Sequence, residues 1–152
     1  YSGLHFDRGD VAALRLLPES FDMIVNCSSI EHVGLKGRYG VSGNYGDGDL
    51  EVMGLLRTLL KPGGHMLLTI PVGRDRVFAP KHRIYGSTRL PRLLHGWDLV
   101  KSEYWHKDGS NRWDICEEGT ALAREPLEHY YGLGLFVVRR PRDESPTEGV
   151  ES

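Results

Sequence analysis

Two groups of residues in this sequence can move a proton near neutral pH. Glu31 and His32 are adjacent, and His82 stands in a second group with Arg83 and Tyr85. Because imidazole titrates near neutral pH, either histidine can orient an acceptor hydroxyl or take its proton. Each also has a structural alternative: His32 can pack against a sheet, and His82 can belong to a surface loop held by its own hydrogen bonds.

Small polar residues form a second set of candidates, suited to binding a ligand rather than to proton transfer. Asp10 is followed by Val11, and the residues Asn26, Cys27 and Ser28 end an apolar run. Asp10 can instead cap the turn that follows it, and the other three can satisfy the backbone at the end of a strand. The serines here lack the flanking glycines of a nucleophile elbow, which argues against a hydrolase.

A glycine-rich segment occupies residues 34–49 and precedes a predicted helix. Such a segment can bind phosphate at a helix N-terminus. Asp47 and Asp49 would repel a phosphate there, and no Lys-Ser or Lys-Thr pair of the P-loop type follows. We therefore predict that this segment is a flexible lid over the acceptor.

Metal and disulfide chemistry find no support in the sequence. The seven histidines are scattered, and no pair of them has the helical spacing of metal ligands. Cys27 and Cys116 fit neither a disulfide framework nor a zinc motif. We predict no metal site and a reducing, cytoplasmic environment.

The elements that must position these residues follow from hydrophobic periodicity. Residues 21–27 are apolar in their middle, which is typical of a parallel strand covered on both faces. Asp49 is predicted as the N-cap of a helix that runs to residue 60, and residues 61–64 (Lys-Pro-Gly-Gly) are predicted to end it in a tight turn. With a strand at 65–70, this makes a strand–helix–strand unit.

Further elements are predicted downstream of this unit. A short helix is expected at 89–94, with strands at 99–104 and 133–139. The composition from residue 141 to residue 152 turns to Pro, Glu, Ser and Asp, which predicts a disordered tail after a domain that spans residues 1–140.

Composition excludes several classes of protein. The chain has 152 residues, a net charge of −2 and 39% hydrophobic residues, which is enough for the core of one domain. The balanced charge argues against a nucleic-acid binder. No apolar run approaches the roughly 20 residues that a membrane-spanning helix needs, so no membrane insertion is expected.

Two motifs resemble those of the class I methyltransferases, which use S-adenosylmethionine. Residues 21–33 (FDMIVNCSSIEHV) are similar to the family's fourth strand, and residues 59–72 (LLKPGGHMLLTIPV) to the following helix, turn and fifth strand. Asp10 and Val11 are placed like the acidic end of its third strand, and residues 132–138 are similar to its antiparallel last strand. The resemblance implies an α/β, doubly wound, mostly parallel sheet of the Rossmann-like methyltransferase type.

The resemblance also implies roles for the candidate residues, since an open parallel sheet binds its ligand at the carboxyl ends of its strands. Asp10 is expected to accept a hydrogen bond from the cofactor's adenine, with the Val11 backbone beside it. Asn26, Cys27 and Ser28 are expected to line the cofactor beneath its methyl group. The catalytic candidates are then His32 and His82, together with Glu31.

Within that superfamily, the chain looks most like an uncharacterised branch, a domain of unknown function. Members of this branch that lie near glycan-assembly genes imply a small-molecule or sugar acceptor, and a homo-oligomer stays open. The superfamily's glycine-rich first loop and the acidic end of its second strand have no counterpart here. The chain is therefore expected to be the C-terminal two-thirds of a methyltransferase domain, truncated at its N-terminus. The matching residues are 31–35, 38–40, 48–50, 71–73 and 82–86.

Two rival functions are weighed against the enzyme. A non-catalytic scaffold or binding protein in glycan assembly would keep the fold without the cofactor loop, and the missing glycine loop favours it if the chain is a complete natural product. A nicotinamide-dependent dehydrogenase ranks last, because the chain lacks both the Gly-x-Gly-x-x-Gly fingerprint and a Tyr-x-x-x-Lys pair.

Overall fold

A computed structural model describes residues 3–37 and 46–142 of the chain. Seven strands and three α-helices occupy these residues, with one 3-10 turn at Ile30–His32. The strands are β1 (Phe21–Cys27), β2 (Leu60–Val72), β3 (Arg76–Phe78), β4 (His82–Ile84), β5 (Asp98–Lys107), β6 (Trp113–Cys116) and β7 (Gly132–Arg139). The helices are α1 (Gly48–Leu59), α2 (Arg89–Leu93) and α3 (Glu118–Ala123).

The five-stranded main sheet has the order β1-β2-β7-β5-β6. The first pair, β1 and β2, is parallel, and α1 crosses over between these strands. The other three pairings are antiparallel. The α/β fold is thus confirmed. The described sheet is mixed rather than mostly parallel, because only β1 and β2, which are joined by the crossover helix α1, pair in parallel.

The strand–helix–strand unit holds most of the core. The inner stripe of α1, with Met53, Leu56 and Leu59, is buried, and it shares one hydrophobic cluster with the β2 residues Met66 and Leu68. Alternate β2 residues point to opposite faces, so one face of the sheet is covered. The other face is more open.

Strand β1 has the predicted bounds but not the predicted burial. Met23 and Val25 are exposed, and β1 lies at the edge of the described sheet. The strand predicted to end at Asp10 is also absent from residues 3–20, where Asp10 instead begins a turn through hydrogen bonds from Ala13 and Leu14 to its carbonyl. Consequently no described strand pairs with the outer edge of β1.

The segment predicted as a tight turn after α1 lies within β2. Leu60 is opposite Phe21, and the next pair is Met23 with His65, so residues 61–64 form a bulge against β1. Gly63 has a φ of 80°, which glycine adopts without strain. The predicted tight turn is therefore wrong: Gly63 takes the positive φ of a turn residue, but the segment belongs to β2.

The short helix α2, strand β5 and the antiparallel strand β7 confirm the predictions for those segments. The predicted disordered tail lies outside the described residues from position 143 onward, as do residues 38–45 of the predicted lid. None of the helices in the described part of the chain has the length and apolar character that crossing a membrane requires.

A buried carboxylate joins the start of α1 to α2. Asp49 was predicted to cap the helix, but Asp47 occupies the N-cap, and the Asp49 side chain points inward and is 0% exposed. It accepts hydrogen bonds from the Tyr85 hydroxyl at 2.9 Å and from Nε of Arg89 at 2.9 Å. Burial, and then the charge of Asp49, raises the pKa of Tyr85, while the hydrogen bond with Asp49 raises the pKa of Arg89.

Replacing Arg89 with Met should lower the free energy of unfolding by about 3 kcal/mol, because it leaves a buried charge without its closest cation. The matched control is Arg92→Met. Arg92 pairs with Asp47 at 3.0 Å, and both side chains are about half exposed, so we expect a loss below about 1 kcal/mol. Urea unfolding followed by circular dichroism measures both. Equal losses of the free energy of unfolding would contradict the expectation that the buried pair of Arg89 and Asp49 stabilises the fold more than the exposed pair of Arg92 and Asp47.

Candidate functional site

A cleft opens beside the carboxyl end of β1, between residues 8–11, β1 and the 3-10 turn. Its volume is about 780 Å³, within the range of small-molecule sites in proteins. We call it the β1 cleft. Its polar lining comes from Arg8, Asp10, Asn26, Ser29 and His32, and its apolar lining includes Val11, Ile24, Val33, Val52 and Leu56.

Asp10 lines this cleft and also stabilises its own turn. Its Oδ1 accepts a hydrogen bond from the Ala12 backbone N–H at 2.9 Å, which confirms the capping alternative. A carboxylate has two oxygens and several acceptor positions, so capping leaves Asp10 able to accept a further hydrogen bond from a ligand. Val11 lies next to it in the lining.

The three candidates at the end of β1 differ in their relation to the β1 cleft. Asn26 lines this cleft, where its Oδ1 accepts a hydrogen bond from the Ser29 hydroxyl at 2.9 Å, and it also borders a second groove. Cys27 lines only that second groove, with Leu67 and Leu135, because successive strand residues point to opposite faces. This alternation was available in the sequence and would have separated the two residues.

Ser28 is held at the turn that follows β1. It has a φ of 47°, a left-handed conformation that is uncommon for residues other than glycine and is often found at functional sites. Its backbone N–H donates to the Thr69 hydroxyl at 3.1 Å. Ser28 therefore shapes the turn that leads from Asn26 to His32, and it is not among the residues that line the β1 cleft.

His32 reaches the cleft from the 3-10 turn, and two protein groups orient its ring. Its Nδ1 lies 2.5 Å from the carbonyl oxygen of Lys81. A carbonyl only accepts, so Nδ1 carries the hydrogen. Nε2 lies 3.6 Å from Oε1 of Glu31, whose side chain is 4% exposed against 20% for His32. A proton on Nε2 would therefore be stabilised by a nearby buried carboxylate.

His82 packs edge-on against the ring of His32. It lies in strand β4 and is buried, so the surface-loop alternative is wrong. Its ring contacts those of Tyr131 at 5.2 Å, Phe78 at 5.6 Å and His32 at 6.3 Å between centroids. Burial, with the charge of Glu31, raises the pKa of Tyr131. His82 is not among the residues that line the β1 cleft.

The metal-ligating side chains of the described residues do not cluster. Within residues 3–37 and 46–142, no three His, Cys, Asp or Glu side chains come together as a group that could hold a metal ion.

Comparison with known proteins matches most of this chain to one family model. The model described as "Caenorhabditis protein of unknown function, DUF268" matches residues 11–130. No curated protein is similar enough in sequence to count as a match.

Solved structures with the same fold include several that are related to methyl transfer. A methyltransferase candidate from Bacillus halodurans C-125 has a TM-score of 0.57 and 15% identity, over 91% of this chain and 78% of that one. The 1,6-didemethyltoxoflavin-N1-methyltransferase of Burkholderia thailandensis, solved with S-adenosylhomocysteine, has a TM-score of 0.51 and 14% identity, over 82% of this chain and 45% of that one.

A third similar structure, the cyclase SpnF, has a TM-score of 0.54 and 17% identity, over 91% of this chain and 56% of that one. This chain thus spans about half the length of two of the three proteins. At these identities the likeness shows a Rossmann-like methyltransferase fold, as expected from the sequence motifs. The cyclase illustrates that a fold does not by itself determine a reaction.

The geometry of His32 predicts its tautomer. Because the Lys81 carbonyl can only accept, neutral His32 should carry its hydrogen on Nδ1. Long-range ¹H–¹⁵N spectra of the histidine rings at a pH where they are neutral should show this form. Exposed His5 and His129 serve as internal references, and a His32 pattern with hydrogen on Nε2 would contradict the geometry.

Proposed function

We propose that this chain, which belongs to the DUF268 family and has a Rossmann-like methyltransferase fold, carries the site of an S-adenosylmethionine-dependent methyltransferase. The observation that supports this most strongly is that Asp10, Asn26 and His32 line one cleft at the carboxyl end of β1. Such strand ends are where open α/β sheets bind their ligands.

The residues of the cleft fit the proposed cofactor. Its volume suits a small molecule, and Asp10 offers a carboxylate to an amino group such as that of adenine, with the Val11 backbone beside it. Asn26 would lie near the reacting end, since it is close to the carboxyl end of β1 and accepts a hydrogen bond from Ser29, directly before the turn that carries His32. In this proposal, Ser28 acts by shaping that turn and Cys27 has no direct contact with the cofactor.

The bound cofactor supplies an electrophilic methyl group, and the protein's main task is to hold an acceptor in line with it. We assign the base to His32, because it is the histidine that lines the cleft. Nε2 would take the acceptor's proton, and Glu31 would stabilise the resulting imidazolium. His82 would support the ring of His32 from behind.

The acceptor we propose is the hydroxyl or amine of a small molecule or sugar. Hydrogen-bonding side chains line the cleft together with apolar ones, a mixture that suits a polar ligand of moderate size. The resemblance to a branch near glycan-assembly genes supports a sugar. A compartment in the cytoplasm and a homo-oligomer remain predictions.

One observation favours the rival scaffold function. Both nitrogens of His32 have a protein group nearby: Nδ1 donates to the Lys81 carbonyl, and Nε2 lies 3.6 Å from Glu31. A non-catalytic protein would use His32 in this way simply to hold the 3-10 turn. Failure of S-adenosylhomocysteine to bind the folded protein would favour the scaffold.

Replacing Asp10 with Ala should weaken binding of S-adenosylhomocysteine by about 1–3 kcal/mol, the usual scale for a lost polar partner. Isothermal titration calorimetry measures the affinity, after circular dichroism confirms folding. Cys27→Ala is the matched control, because Cys27 lies in the other groove, and it should leave the affinity unchanged. The proposal fails if the folded protein does not bind, or if Asp10→Ala binds as tightly as the wild type.

A further inference from the structure

Arg83 is a buried cation whose contacts lead to the backbone around His32. The residue is 2% exposed. Its guanidinium donates one hydrogen bond to the Val33 carbonyl and another, at 3.4 Å, to the Gly46 carbonyl. Its Nε also lies 3.8 Å from Oδ1 of Asp49, so a carboxylate close by compensates the buried charge.

The 3-10 turn that carries His32 needs support from outside. It has three residues, with hydrogen bonds from the His32 and Val33 backbone N–H groups back to Ser29 and Ile30. So short a turn is marginal by itself, because helical structure gains stability only with length or through tertiary contacts. Ile30 and Glu31 are both buried, but burial of these two residues does not by itself set the orientation of the His32 ring.

Three consecutive residues on and beside β4 supply that orientation. The Lys81 carbonyl accepts from Nδ1 of His32, and the ring of His82 packs edge-on against it, with centroids 6.3 Å apart. Arg83 donates to the Val33 carbonyl, directly after His32 in the chain. One short segment therefore contacts both the ring of His32 and the backbone directly after it.

We infer that Arg83 is a positioning residue for His32: by holding the Val33 carbonyl, with Asp49 compensating its charge, it keeps the imidazole of His32 against the Lys81 carbonyl. The inference rests on the proposed function, since Arg83 positions the residue that is proposed there as the base. The geometry it invokes is measurable without cofactor or acceptor. A planar guanidinium with five donors can serve two carbonyls and a carboxylate at once, whereas a lysine ammonium offers a single point charge.

The test follows the Nδ1 proton of His32 in ¹⁵N-labelled protein, without any ligand and at a temperature where every variant is folded. Arg83→Met should speed exchange of this proton with water by roughly tenfold or more, the scale of a lost hydrogen bond to a charged group. Arg83→Lys should give a smaller increase, because lysine can still donate to one carbonyl.

Arg89→Met is the matched control. It also removes a cation from Asp49, but Arg89 donates to Asp49, Asp47 and Gly46 rather than to Val33. The exchange rate of the His32 Nδ1 proton in Arg89→Met should therefore match that of the wild type. A general loss of stability would affect both variants, whereas loss of positioning affects Arg83→Met alone.

The inference is overturned if folded Arg83→Met keeps the wild-type exchange rate and tautomer. If Arg83→Met does not fold, Arg83→Lys decides, and wild-type exchange in that variant overturns the inference. Failure of the proposed function is distinguishable, because it appears as absent S-adenosylhomocysteine binding in wild-type protein. If wild-type protein binds S-adenosylhomocysteine but the His32 signal of Arg83→Met is unchanged, the positioning role of Arg83 is overturned and the proposed function stands.

Discussion

The hydrogen bonds and ion pairs of the buried Asp49 carboxylate are the interactions on which the placement of α1 against β4 and α2 depends. The carboxylate is fully enclosed, and a charge in that position is tolerated only when hydrogen bonds and cations surround it. Tyr85 and Arg89 donate to it, and Arg83 lies beside it. Because these partners come from β4, α2 and the residues between them, one carboxylate sets where α1 begins relative to these elements.

The position of α1 in turn sets the β1 cleft. Its residues Val52 and Leu56 form part of the cleft wall, and its crossover makes β1 and β2 parallel. The end of β1 then delivers Asn26 and the 3-10 turn to the same opening. Arg83 links Asp49 to the 3-10 turn, since it contacts both the Asp49 carboxylate and the Val33 carbonyl. The buried ion pairs of Asp49 and the proposed base His32 are thus connected through Arg83.

Local patterns in the sequence were sufficient for much of the fold. The apolar run of β1, the helical spacing of α1 and the strand at β7 were predicted from periodicity and motif. The role of Asp49 was not, because an aspartate near a helix start resembles a cap, and its true partners lie 36 and 40 residues away. The bulge at residues 61–64 was missed for a related reason: a Pro-Gly-Gly sequence has the same signature in a turn and in an interrupted strand.

The candidate site was predictable in part. Asp10, Asn26 and His32 were named from the sequence, and the structure brings them to one cleft. Their proposed roles stay predictions. Cys27 was grouped with Asn26 by its neighbourhood in the chain, although strand alternation places the two on opposite faces. The burial of His82 against Tyr131 depends on tertiary packing between β4 and residues near 131, which no local pattern reveals.

The most direct test of the account is a titration of S-adenosylhomocysteine into ¹⁵N-labelled protein, followed through the backbone amide shifts. If the cofactor binds in the β1 cleft, the shifts should concentrate around residues 9–11, at Asn26 and along residues 29–33, which border that cleft. The proposed cofactor site is contradicted if no amide responds, or if the responding amides belong to the groove on the other face of the sheet, around Lys101 and Leu135.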